Sequence, residues 1–148
     1  MPKATILIVE DNPDIAQPLA DAFRFADFSV LLAESAIQAL QVASQHRPNL
    51  ILMDIQLPDL DGLSVADTLK ADPETKDIPI VTMTAYDVKG EQARAITRTC
   101  VGYAQKPVRP REIINLASAV LKLQEGPEPP PRKAAPVRKA GPLKAPRR

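Results

Sequence analysis

Among 148 residues there is one cysteine, Cys100, and one histidine, His46. A lone cysteine closes no internal disulfide, and a Cys-rich zinc site is excluded with it. No apolar run approaches the ~18 residues that a membrane span requires. The N-terminus lacks the basic-then-apolar pattern of a signal peptide, so the cytoplasm is the expected compartment. Glycine is scarce, with five residues against sixteen prolines. Prolines in that number cannot all be housed inside helices and strands.

Their distribution divides the chain. Residues 124–148 hold seven of the prolines, seven of the nineteen Lys and Arg residues and two acids, a net charge of +5. Residues 1–123 carry twelve basic and sixteen acidic side chains, a net charge of −4. The formal +1 of the whole is therefore a cancellation between unlike pieces. From Gly126 onward the only large aliphatic side chains are Val137 and Leu143. Such a segment buries too little surface to fold alone. The expected organisation is one folded domain over 1–123 followed by a basic, proline-rich flexible tail over 124–148.

Within the domain, short apolar runs alternate with amphipathic stretches. The runs are Thr5 to Val9, Phe28 to Ala33, Leu50 to Met53, Ile78 to Met83 and Val101 to Ala104. Helical periodicity predicts helices over Pro13 to Ala26, Ala36 to His46, Leu63 to Ala71, Lys89 to Arg98 and Pro110 to Leu123. Strands apolar on both faces and separated by helices imply a parallel sheet covered on both sides. In such an α/β doubly wound sheet, ligands bind outside the carboxyl ends of the strands.

Those ends carry Glu10 and Asp11 after strand one, Asp54 after strand three, Thr84 after strand four and Lys106 after strand five. A single acid there reads as a helix cap or a loop residue; five polar groups converging on one apolar edge point to chemistry. Clustered carboxylates repel unless a cation neutralises them, and an all-oxygen set suits magnesium. A carboxylate in this setting can act as a nucleophile toward phosphorus, with a lysine and a hydroxyl stabilising the transferring oxygens.

The segments ILIVEDNPD (6–14), PNLILMDIQLPDLDG (48–62), IPIVTMTAY (78–86) and YAQKP (103–107) resemble the receiver domain of two-component response regulators, of the stand-alone type. The resemblance implies a flavodoxin-like (βα)5 fold, its five-stranded parallel sheet ordered 2-1-3-4-5 with helices on both faces. It implies that Asp54 is the phosphoacceptor, that Asp11 binds Mg2+ (or Mn2+) directly, that Glu10 does so through water, and that the backbone carbonyl of Gln56 completes the ligands. Thr84 and Lys106 would assist phosphoryl transfer, Thr84 and Tyr103 would form the switch, and the Lys106–Pro107 peptide would be cis. Gln56 and Tyr86 would modulate access of water to the acyl phosphate. The domain would catalyse its own phosphorylation and dephosphorylation rather than act as an enzyme on a separate product. A sensor histidine kinase or histidine phosphotransfer protein would be the donor. The downstream target would be a protein meeting helix four, strand five and helix five, since no output domain follows Leu123.

Other residues carry plainer readings. His46 ends a helix where a partly cationic side chain suits the dipole, and Asp14, Asp59 and Asp61 read as first-turn and loop acids. Cys100 reads as a small, partly buried apolar residue. Pro18, inside the first predicted helix, predicts a kink or a late start. Gly62 reads as a residue of special backbone freedom opening a helix. Two other functions stay open: a non-phosphorylated pseudo-receiver scaffold, and an aspartyl-phosphate phosphatase, which wants a second acid where Gln56 stands. Two readings of the tail stay open: a solvated extension, or a segment that docks an acidic partner or nucleic acid through its charge.

Tyr86, two residues beyond Thr84, is bulky enough to shield a phosphoryl group on Asp54. Tyr86→Ala should therefore shorten the lifetime of the phosphorylated form; an unchanged or longer decay time would overturn this.

Overall fold

The computed structural model describes residues 4–85 and 90–124. Tyr86 and the tail beyond Gln124 lie outside the described residues. Ten elements alternate: β1 (Thr5–Val9), α1 (Pro13–Phe25), β2 (Ser29–Ala33), α2 (Ala36–His46), β3 (Leu50–Asp54), α3 (Gly62–Ala71), β4 (Ile80–Thr84), α4 (Gly90–Thr99), β5 (Gly102–Gln105) and α5 (Pro110–Gln124). All five strands pair in parallel, in the order β2-β1-β3-β4-β5. This is the expected flavodoxin-like topology.

The side-chain alternation of each strand sorts the core into two layers. Leu7 and Val9 of β1, Ile51 and Met53 of β3, and Ile80 of β4 face α2, α3 and α4, meeting Ala39, Val65, Leu69 and Ile96. Ile6, Ile8, Leu50, Leu52, Val81 and Met83 face α1 and α5, meeting Leu19, Phe23, Ile113 and Val120. Every residue of β3 and β4 is buried. The continuous apolar runs seen in the sequence follow from this double burial.

Helix starts follow their caps. Asn12 Oδ1 accepts from Asp14 N–H at 2.9 Å, Ser35 Oγ from Gln38 N–H at 3.1 Å, and Asp61 Oδ1 from Leu63 N–H at 2.9 Å. The late start expected at Pro18 is not observed: α1 begins at Pro13 and runs through Pro18 to Phe25. Pro18 and Asp14 are both exposed, so water can reach the carbonyl that loses its helical donor. Strand two opens at Ser29 rather than Phe28. The Phe28 ring instead packs edge-on against Phe23, with centroids 5.4 Å apart, and its N–H bonds Phe23 O at 3.0 Å. Strand four opens at Ile80, because Pro79 can accept from Ile51 N–H but cannot donate to the ladder.

Gly62 is needed for a reason other than backbone freedom. A Cβ there would stand 2.5 Å from Asp54 O and 2.8 Å from Ile55 Cα, so the absence of a side chain lets α3 start hard against the end of β3.

Cys100 closes α4 and is 8% exposed. Burial pushes its thiol up to about 11. The reactive species is the thiolate. Iodoacetamide at pH 8 should therefore label Cys100 on the order of 100-fold more slowly than in the urea-unfolded chain, whose thiol has an ordinary pKa of about 8.5. The native rate should rise about ten-fold per pH unit between pH 7 and 9. Equal native and unfolded rates would contradict the buried placement.

Candidate functional site

The two-residue alternation that builds the core continues past the strand ends. Positions 10, 54 and 106 extend the rows of Ile8, Leu52 and Ala104, all on the α1 and α5 side. Val9 pairs with Met53 and Asp54 with Met83, so Glu10 and Asp54 leave adjacent strands side by side. Lys106 follows β5, two strands beyond β3, and its long side chain spans that gap.

The Lys106 ammonium lies 2.9 Å from both Asp54 Oδ2 and Glu10 Oε1. To Asp54 it donates a hydrogen bond; toward Glu10 the contact is an ion pair that leaves Oε1 without a directed donor. The remaining oxygens take backbone donors: Asp54 Oδ1 accepts from Gln56 N–H at 3.1 Å and Glu10 Oε2 from Asn12 N–H at 3.2 Å. Glu10 and Asp54 are 3% and 5% exposed. Burial pushes the Glu10 carboxyl above its usual range, outweighing the contact with Lys106 and the bond from Asn12, while the Asp54 charge adds to the rise. Burial draws the Lys106 ammonium down, but its bond to Asp54 and its ion pair with Glu10 prevail and hold it above its ordinary value.

Asp11 is exposed at the rim, and one oxygen from each of Glu10, Asp11 and Asp54 lies within 4.8 Å of the others. Three carboxylates against one ammonium leave the cluster anionic. The all-oxygen donor set and the excess of carboxylates fit a hard divalent cation.

Thr84 ends β4, 2% exposed, on the opposite face of the sheet from Met83. Tyr103 pairs in register with Thr82 and packs, half-buried, against the layer beneath α2, α3 and α4. The structure thus gathers Glu10, Asp54 and Lys106 on the α1 and α5 side, with Asp11 exposed at the rim and the positions of Thr84 and Tyr103 in the alternate rows of β4 and β5. The two sides touch where Lys106 N–H bonds Thr84 O at 2.7 Å. The Lys106–Pro107 peptide is cis. Gln56 is exposed and forms an isolated bridge with Asp61.

One residue gains a role that its sequence position did not reveal. Asp59 Oδ1 accepts from Ala36 N–H at 2.8 Å and Oδ2 from Ile37 N–H at 3.1 Å, joining the loop after Asp54 to the start of α2. These bonds hold its carboxyl below the usual range, the Ala36 N–H contributing most. No local pattern announces a cap supplied from more than twenty residues away.

A family model described as the response regulator receiver domain matches residues 6–118. Over 119 residues the chain is 39% identical to the polar-differentiation response regulator DivK of Brucella anthropi, a match covering 80% of this chain and 96% of that relative. Among solved structures, the receiver domain of a sensor histidine kinase from Pseudomonas aeruginosa, with a magnesium ion coordinated in its active-site cleft, aligns with a TM-score of 0.74 at 29% identity, covering 80% of this chain and 98% of that one. A CheY-like response regulator receiver domain protein from Methanospirillum hungatei aligns with a TM-score of 0.76 at 26% identity, covering 82% and 95% respectively.

Lys106→Met would leave two buried carboxylates without their counter-charge and should cost about 3 kcal/mol in metal-free buffer at neutral pH. Asp11→Asn removes one exposed charge from an anionic cluster and should be neutral or slightly stabilising. Urea unfolding measures both, and a Lys106→Met chain as stable as the wild type would refute the ion-pair account.

Proposed function

Because the chain belongs to the response regulator receiver domain family, we propose that it is a phosphorylation-dependent switch of a two-component or phosphorelay pathway, with Asp54 as the phosphoacceptor. The observation that carries this reading is the Lys106 ammonium 2.9 Å from Asp54 Oδ2 and Glu10 Oε1 at the carboxyl edge of the sheet. That edge is where a doubly wound fold binds its ligand.

A carboxylate oxygen of Asp54 attacks the phosphorus of a phosphohistidine on a sensor kinase or phosphotransfer protein. The new P–O bond forms as the P–N bond breaks, and the departing imidazole takes a proton from solvent. Lys106 opposes the charge on the transferring oxygens, and the Thr84 hydroxyl donates to one of them. Glu10, Asp11, Asp54 and the Gln56 carbonyl would hold Mg2+, or Mn2+. When bound, the ion neutralises carboxylate and phosphoryl charge. Gln56 and, by its sequence position two residues beyond Thr84, Tyr86 are the residues that modulate hydrolysis of the acyl phosphate.

The output is a change of surface. Phosphorylation shifts an equilibrium between two arrangements, in which Thr84 and Tyr103 move inward and alter the face formed by α4, β5 and α5 for a downstream protein. The setting is the cytoplasm; no helix of the described residues is long and apolar enough to cross a membrane.

Incubation with acetyl phosphate and Mg2+, followed by intact-mass measurement, tests the reading. It should yield one acid-stable, base-labile phosphoryl group per chain, absent in Asp54→Asn. No adduct on the wild type would favour a scaffold, and steady turnover of small phosphoesters would favour a phosphatase.

A further inference from the structure

We propose that Asp59 is a positioning residue for the phosphoacceptor site: its carboxylate clasps the first turn of α2 and so fixes the loop that carries the Gln56 carbonyl. The inference rests on the reading of Asp54 as phosphoacceptor and of Gln56 as a metal ligand.

The loop between β3 and α3 is stitched at both ends. Ile55 N–H bonds Met83 O at 3.1 Å, Gln56 N–H bonds Asp54 Oδ1 at 3.1 Å, and Gly62 N–H returns to Ile55 O at 2.6 Å. Between these points the chain projects over the edge of the sheet, with Leu57 half-buried and Pro58, Asp59 and Leu60 exposed. The Asp59 carboxylate ties this projecting part to a different element. Oδ1 accepts from Ala36 N–H at 2.8 Å and from Leu60 N–H at 3.1 Å, and Oδ2 accepts from Ile37 N–H at 3.1 Å.

Three acceptor bonds on two oxygens require a carboxylate. An amide would turn one acceptor into a donor facing an N–H. The partners are the first two N–H groups of α2, which no backbone carbonyl can serve. Ser35 caps Gln38 N–H of the same turn, so Ser35 and Asp59 divide the helix start between them. The turn is a firm anchor, because Ala36 is fully buried. It also adjoins the site from the other side: Glu10 N–H bonds Ala33 O, the last residue of β2, at 3.0 Å. Glu10 and the Gln56 loop are therefore braced against the same β2–α2 connection. A metal ligand of this kind depends on outer contacts that orient it.

Ser35→Ala is the control, since it weakens the same helix start without touching the loop. Titration calorimetry of the full chain with Mg2+ should give a Kd raised about ten-fold in Asp59→Asn, the low end of what such outer contacts contribute, and unchanged in Ser35→Ala although both melt lower. The Mg2+ concentration giving half-maximal phosphorylation by acetyl phosphate should rise by the same factor in Asp59→Asn, with the wild-type rate regained at saturating Mg2+. Affinity within two-fold of the wild type in Asp59→Asn, or an equal loss in Ser35→Ala, overturns the proposal. Should Asp59→Asn fail to fold, amide exchange in the wild type decides. Mg2+ must slow exchange at Ala36 and Ile37, because the coupling is reciprocal, and unchanged exchange refutes it. A wild-type chain that binds Mg2+ but takes no phosphoryl group on Asp54 would instead defeat the functional reading, leaving the calorimetry to judge Asp59 alone.

Discussion

Two buried carboxylates stand side by side at the edge of an apolar sheet, and one ammonium makes that tolerable. Glu10 and Asp54 leave adjacent strands and meet Lys106, which arrives from the far strand β5. Buried ions of like sign are costly unless a counter-charge approaches closely. The parallel order brings all three to the same edge, where their chain positions alone would scatter them. Burial, more than the Asp54 charge, holds the Glu10 carboxyl above its usual range. Three carboxylates around one ammonium suit the cluster to a cation.

The sheet separates the charged cluster from the rows of Thr84 and Tyr103. By alternation Glu10, Asp54 and Lys106 lie on the α1 and α5 side, whereas Thr84 and Tyr103 lie on the side covered by α2, α3 and α4. The two sides are joined through β4 and through the bond between Lys106 N–H and Thr84 O.

The loop after Asp54 is built from close approach and capping. Gly62 allows α3 to begin where a Cβ would collide with Asp54 O, and Asp61 caps that helix. Asp59 reaches across to α2. The short run from Pro58 to Gly62 thus closes against β3 on one side and α2 on the other.

Periodicity and strand-end placement in the sequence determined the number and type of elements, the parallel sheet and the residues at its carboxyl edge, because burial on both faces and helical spacing are local properties. Tertiary structure alone decided that Lys106 bridges Glu10 and Asp54 and that Thr84 and Tyr103 occupy strand positions alternating with those that carry the acids. It also decided that Gly62 serves close approach rather than backbone freedom, and that Asp59 caps a helix more than twenty residues distant. Each of these depends on register and on contacts between remote segments. A pattern of side chains along one segment carries no record of which atoms another segment brings within 3 Å of it.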